Sequence, residues 1–382
     1  MKKLKVMTVF GTRPEAIKMA PLIHELESRD NIQSVVCVTA QHRQMLDQVL
    51  ELYNIKPDYD LDIMKERQTL VGITARVLEG LDSVMKQEKP DIVLVHGDTS
   101  TTFAGSLAAF YNNTMVGHVE AGLRTYDKWS PFPEEMNRRL TGVLSDLHFS
   151  PTVRNRENLL REGFAAENIF ITGNTVIDAL NTTVKDSYIY KNSGLPQIFK
   201  SGRRIILMTA HRRENLGEPL QNITRAVRRI ADEFSDVEVI YPVHLNPAVM
   251  EVAQKELGNH DRIHLIEPLE AGDMHNAMAK AYLIMTDSGG LQEEAPSLGK
   301  PVLVLRRETE RPEAVEAGTV RLVGVEEEDI YNMAKVLLSD AGEYEKMAKS
   351  INPYGDGRAS QRIVDAIISK FGLGKRPDDF FV

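Results

Sequence analysis

Short runs of β-branched and apolar residues alternate with longer stretches of helical periodicity through most of this chain, in two series separated by a polar break. The spacing predicts strands at residues 4–10, 34–40, 91–96, 115–119 and 169–172, with helices at 16–28, 70–89, 101–112, 134–145 and 153–162 between them. The second series has strands at 204–209, 237–241, 263–266, 282–286 and 301–305, with helices near 220–234, 247–257, 274–280 and 292–298. Strands joined by crossover helices form parallel sheets covered by helices on both faces. The expected fold class is therefore α/β, with two Rossmann-like domains: an N-terminal one over 1–172, a linker region over 173–203, and a C-terminal one over 204–358. Residues 359–382, with a helical pattern over 359–371, are expected to pack back onto the first domain. Ligands of such sheets settle beyond the carboxyl ends of the strands, so two domains facing a central cleft would present their strand-end loops to it.

With 382 residues, 42% of them hydrophobic, the chain can bury two cores. A net charge of -9 argues against nucleic acid as a partner. The apolar run after Lys2 and Lys3 meets Gly11-Thr-Arg-Pro-Glu too soon for a signal-peptide core, and no apolar stretch approaches the ~20 residues of a membrane helix. A cytoplasmic protein without membrane association is expected. Cys37 is the single cysteine and its surroundings read as strand core, so no intrachain disulfide or zinc-thiolate cluster can form. No His/Cys/Asp/Glu spacing resembles a metal site and no G-x-x-x-x-G-K-S/T loop occurs, so neither metal nor other cofactor is expected.

The first predicted strand runs into Gly11-Thr-Arg-Pro-Glu, a turn and helix start that aims backbone N–H groups and a positive dipole end at the crevice above the sheet, where anions settle. The fingerprint G-x-G-x-x-G is missing there, which disfavours NAD. Arg13 is suited to bidentate phosphate contact and Lys18 supplies a second cation; the alternative for each is a solvated surface charge. Asp98 follows the third strand, as a site carboxylate or as a helix N-cap. Glu120 ends the fourth strand with no structural duty evident. Glu134 and Glu135 open a helix, where acidic residues also serve the dipole. Asp98, Glu120 and Glu134 are expected to converge on the cleft that holds Arg13 and Lys18. In the second series His211 precedes two arginines in a strand-end loop and reads as a ligand or proton carrier, with His244 a weaker case. Ser288-Gly289-Gly290 opens a helix as a phosphate cradle or a plain tight turn, and Glu294 is placed to hydrogen-bond a ribose diol.

In order along nearly the entire chain, Gly11-Thr-Arg-Pro-Glu-Ala-Ile-Lys18, His96-Gly-Asp-Thr99, His118-Val-Glu-Ala-Gly-Leu-Arg124, Pro131-Phe-Pro-Glu-Glu135, His211-Arg-Arg-Glu-Asn215 and Asp287-Ser-Gly-Gly-Leu-Gln-Glu-Glu294 resemble the motifs of the bacterial non-hydrolysing UDP-N-acetylglucosamine 2-epimerases. The resemblance implies a GT-B-type fold, a homodimer, and reversible C2 epimerisation of UDP-N-acetylglucosamine to UDP-N-acetylmannosamine for surface-polysaccharide synthesis. It ties Lys18, Asp98, Glu120, Glu134 and His211 to catalysis, and Arg13, His211, Ser288, Gly289, Gly290 and Glu294 to UDP binding. It further implies a second UDP-N-acetylglucosamine as allosteric activator, held by Gln41, Gln44, Arg67, Gln68, Arg212 and His244.

The chemistry asks for the same inventory. No carbonyl adjoins the C2 proton of the sugar, so C1 must first be depleted of electrons. UDP leaves with the C1–O electron pair, a base takes the C2 proton, and a 2-acetamidoglucal remains. UDP then adds back at C1 while a proton arrives on the opposite face of C2. Cations and helix N-termini stabilise the departing diphosphate, carboxylates move the proton, and water must be kept out. Three rivals share parts of this inventory. A hydrolysing relative would let water meet the glycal and release free N-acetylmannosamine. A GT-B glycosyltransferase would need an acceptor groove rather than three carboxylates, and a nucleotide-sugar-binding regulator would need no acid/base set.

Overall fold

A computed structural model describes residues 3–40, 43–65 and 68–381, with Gln44 described through its backbone alone. The chain divides into two compact units, Met1–Ala179 together with Tyr354–Phe381, and Leu180–Pro353.

The first unit holds seven strands: β1 (Leu4–Phe10), β2 (Ile32–Val38), β3 (Tyr59–Asp60), β4 (Ile92–His96), β5 (Met115–Val119), β6 (Leu147–Ser150) and β7 (Ile169–Ile171). All pair in parallel in the order β3-β2-β1-β4-β5-β6-β7. Its helices are α1 (Arg13–Glu27), α2 (Arg43–Leu52), α3 (Leu70–Glu88), α4 (Ser100–Tyr111), α5 (Glu134–Leu144), α6 (Val153–Arg161) and the start of α7 (Thr175–Thr183), within which the chain leaves the unit.

Buried on both faces, these strands read as continuous apolar runs whose residues alternate between two cores. Val6, Phe10, Val36 and Val38 join the core built with Met19, Leu22 and Ile23 of α1, whereas Met7, Val9, Val35 and Cys37 join Val77, Leu81 and Ala108 of α3 and α4. Burial pushes the Cys37 thiol up to about 12, which keeps it protonated.

The second unit holds β8 (Arg204–Thr209), β9 (Val237–Pro242), β10 (Ile263–Ile266), β11 (Leu283–Thr286), β12 (Val302–Val304) and β13 (Val320–Leu322), parallel in the order β10-β9-β8-β11-β12-β13. Its further helices are α8 (Leu195–Phe199), α9 (Glu218–Glu233), α10 (Pro247–Leu257), α11 (Ala271–Lys280), α12 (Gly289–Ser297), α13 (Pro312–Glu316), α14 (Glu327–Ser339) and α15 (Ala341–Ala348). Ile206, Met208, Val239 and Tyr241 meet Ile223, Val227 and Ile230 of α9 in its core. The last helix, α16 (Ala359–Lys370), lies in the first unit, where Ile363, Val364 and Ile367 enter the core around α1. Beyond it, Asp379 accepts the Ile171 N–H at 2.8 Å and the Phe380 N–H donates to the Ile171 carbonyl at 2.7 Å, extending the edge at β7.

The α/β class with two doubly wound parallel sheets is as expected. Three short strands, β3, β6 and β13, add to the predicted set, and α1 begins at Arg13 rather than residue 16. Each sheet reverses its winding once, between β1 and β4 and between β8 and β11, which is where open α/β sheets form a crevice at their carboxyl edge. Among the described residues no helix is long and apolar enough to cross a membrane.

Candidate active site

In the first unit the parallel register brings the loops after β1, β4 and β5 out on one edge. Thr12 caps α1. Glu15, buried at the third helical position, accepts the backbone N–H groups of Gly11 at 3.1 Å and Thr12 at 2.8 Å, and the Thr99 hydroxyl at 2.8 Å. Burial raises the Glu15 pKa and these donors oppose the rise. The expectation that this turn offers its N–H groups to a ligand anion is corrected: the chain's own carboxylate takes those of Gly11 and Thr12. Gly11 is needed for another reason, since a Cβ there would collide with the hydroxyls of Thr39 and Thr101. Arg13, the first helical residue, is half-buried at the same turn.

Lys18, on the next turn of α1, forms an ion pair with Glu120, the two side chains being 15% and 12% exposed. Glu120 adopts a left-handed backbone, φ +63, which costs a residue with a Cβ on the order of 1 kcal/mol and must be held by its surroundings. The amide Nδ2 of Asn174 donates to the same carboxylate oxygen at 3.0 Å, and His96 Nε2 lies 3.6 Å from it. Burial pushes the His96 pKa down to about 4 against the pull of Glu120, so the imidazole faces the carboxylate uncharged. His118, pushed down to about 3 by burial, donates from Nε2 to the Gly97 carbonyl at 2.7 Å and fixes the turn before Asp98.

Asp98 is not the cap of α4. Thr99 is, its hydroxyl accepting the Thr102 N–H at 3.1 Å. Arg138 instead grips Asp98 through Nε at 2.9 Å and Nη2 at 2.7 Å, and reaches Glu135 at 3.3 Å. Fully buried, Glu135 accepts the N–H groups of Thr125 at 3.0 Å and Tyr126 at 3.1 Å, so it holds the loop that leads to α5. Glu134, beside it, opens α5 half-buried.

In the second unit Asp287, the first residue after β11 and fully buried, accepts on one oxygen the N–H groups of His211 at 2.7 Å and Arg212 at 2.8 Å and the Asn215 amide at 3.1 Å. Its other oxygen lies 3.6 Å from His211 Nδ1. Burial lowers the His211 pKa; Asp287 opposes this, whereas His244 and Arg212 add to it. The His244 ring stacks on that of His211, with centroids 5.1 Å apart and planes 4° from parallel. Ser288 caps α12 without a side-chain bond, and a helix start leaves the N–H groups of Gly289 and Gly290 without intrahelical partners. A Cβ on Gly290 would stand 3.1 Å from Glu294 Oε1, so glycine lets Glu294 lie along the helix start. His275 Nε2 is 3.7 Å from Glu294, while its Nδ1 meets the Thr183 hydroxyl at 2.7 Å.

Of the residues assigned to a second sugar nucleotide, Gln41, Arg67 and the Gln44 side chain lie outside the described residues. Gln68 accepts a hydrogen bond from Arg76 at 3.0 Å, and Arg212 and His244 belong to the His211 surroundings. Sequence reasoning missed Glu15, His96, Arg138, Asn174, Asp287 and His275. A signal existed for two of them: Asp287 is the first residue beyond a strand, and Asn174 stands where an N-cap is needed before α7. Among the described residues no group of three metal-ligating side chains gathers.

A family model described as UDP-N-acetylglucosamine 2-epimerase matches residues 24–368. The chain is 63% identical over 382 residues to the UDP-N-acetylglucosamine 2-epimerase of Bacillus subtilis (strain 168), covering 100% of this chain and 99% of that protein. Among solved structures it is similar to S. aureus MnaA with UDP, at a TM-score of 0.87 and 56% identity over 100% of both chains. It is likewise similar to the UDP-GlcNAc 2-epimerase from Neisseria meningitidis bound to UDP-GlcNAc, at a TM-score of 0.85 and 51% identity over 96% of this chain and 100% of that one.

Proposed function

This chain belongs to the UDP-N-acetylglucosamine 2-epimerase family, and we propose that it interconverts UDP-N-acetylglucosamine and UDP-N-acetylmannosamine by eliminating UDP and adding it back. The observation that carries this reading is the unlike finish of the two helix starts. The start of α12, with no side-chain cap, suits a diphosphate, and the start of α1, closed by Glu15, lies beside the Lys18–Glu120 pair. In this division of labour the backbone of Ser288, Gly289 and Gly290 takes the diphosphate, Glu294 the ribose hydroxyls, and Arg13 adds a cation to the leaving group. His211, addressed by Asp287 through Nδ1, donates to the departing phosphate oxygen. Glu120, Asp98 and Glu134, supported by Lys18, exchange the C2 proton and stabilise positive charge on the ring. C2 loses one proton and gains another, and the UDP oxygen that leaves with the C1–O pair shares it with C1 again, so the cycle is redox-neutral and needs no electron carrier.

The same reading extends to assembly and control. Neighbouring α3, α4 and α5 leave Leu70, Val71, Phe110, Tyr111, Leu140 and Val143 exposed, an apolar surface that suits a homodimer. His244, stacked on His211, and Arg212, next to it in the chain, suit a second sugar nucleotide acting as activator. A charged nucleotide sugar crosses no membrane unaided, which favours work in the cytoplasm and delivery of N-acetylmannosaminyl units to surface polysaccharide. Incubation with UDP-N-acetylglucosamine followed by chromatography tests the reaction. Two interconverting UDP sugars are expected; free N-acetylmannosamine with UDP would assign a hydrolase instead.

A further inference from the structure

We propose that Asn174 is a positioning residue for Glu120, registering its carboxylate to the place where the chain passes out of the first unit and returns. The proposal rests on the reading of Glu120 as the carboxylate that handles the C2 proton.

Asn174 is 3% exposed and every polar group of it is engaged. Its Oδ1 accepts the Val176 N–H at 3.1 Å and so caps the start of α7, which leaves Nδ2 to donate to Glu120 at 3.0 Å. Its backbone N–H donates to the Tyr354 carbonyl at 2.6 Å. The preceding Gly173 has φ +83, and a Cβ there would stand 3.2 Å from Gly355 Cα and 3.3 Å from the Tyr354 oxygen. At Gly173 the two backbones therefore pack with no room for a side chain. Because the chain leaves this unit within α7 and re-enters it at Tyr354, the amide that holds Glu120 is anchored to both passages.

Glu120 cannot hold its left-handed conformation alone. Lys18 reaches it from α1 and the uncharged His96 from β4, but a lysine ammonium is a point charge on a flexible stem. The amide N–H, fixed by a helix cap and a backbone bond, supplies the directional contact. Displacement of a reacting group by about 1 Å costs on the order of 100-fold in rate.

Asn174→Asp isolates this role, because aspartate caps a helix as well as asparagine does but sets a second carboxylate against Glu120 in place of a donor. We expect kcat to fall about 10- to 100-fold, UDP affinity to stay unchanged, and the acid limb of the kcat profile to move to higher pH. Asn174→Ser caps too but carries nothing that reaches Glu120; it should lower kcat and, by removing a donor to the carboxylate, move the acid limb up by less than Asn174→Asp does. Thermal melts of both variants report folding. Wild-type kcat in Asn174→Ser, or an unmoved acid limb in a folded Asn174→Asp, would overturn the proposal. Retained turnover in Glu120→Gln would instead overturn the reading on which it rests.

Discussion

After β1 the chain turns at Gly11 into a helix whose start is closed by Glu15, while after β11 it turns at Asp287 into a helix whose Ser288 cap makes no side-chain bond. Both turns stand at the point where their sheet reverses its winding, and both aim a positive dipole end at the carboxyl edge. A carboxylate three residues into the helix converts the first from an anion receptor into a rigid support, on which Lys18 is presented to Glu120. Fold-level symmetry thus conceals a chemical asymmetry that only side chains decide, and the function we propose assigns proton handling to one unit and diphosphate holding to the other.

If that division is right, substitutions in the two units must fail in different ways. The largest effect is expected from Glu120→Gln, which keeps shape and hydrogen bonding but removes the charge. Turnover should drop by about 10³-fold or more, the range of a lost general base, with UDP affinity within about twofold by calorimetry. Loss of UDP affinity in that variant would erase the distinction. Next comes Glu294→Ala, for which calorimetry should find UDP bound about 10- to 100-fold more weakly, the loss of a charge-assisted bond. A Glu294→Ala enzyme that binds UDP normally yet fails to turn over would invert the assignment.

The last expected effect separates the units by stability. Burial holds His96, His118 and His148 of the first unit down to about 4, 3 and 4, against 6.5 for an exposed imidazole. Below pH 6.5 the unfolded chain therefore binds protons that the folded one refuses. The stability these groups contribute is complete above 6.5 and drains away as pH falls toward 4, each pKa unit counting for about 1.4 kcal/mol. Scanning calorimetry between pH 7 and pH 5 should show the transition of the first unit moving down ahead of that of the second. Parallel movement of both would mean that these histidines do not set the difference.

The alternation of strand and helix was legible because doubly covered strands must be apolar throughout and their crossovers must be long. What stayed hidden was short: β3 has two residues and β13 three, too few to show a period. At the strand ends Glu120 and His211 stood out because charged groups at such places lack a packing reason, and Lys18 because it follows the first strand-end turn. Their partners did not. Asn174 is 54 residues from Glu120 along the chain, and Asp287 is 76 from the His211 N–H it receives. Pairing over such separations is created by sheet order, which one sequence does not display. Glu15 was hidden differently: an acid in the first turn of a helix looks like a dipole partner, and nothing local reveals that it also fills the anion site.

The central claim, that C2 loses its proton while UDP is detached and bound, is tested most directly in deuterium oxide. The protein incubated there with UDP-N-acetylglucosamine alone should yield both epimeric UDP sugars with deuterium at C2 of the product, and Glu120→Gln should yield neither product nor label. Epimerised product that retains its original C2 hydrogen would contradict the account.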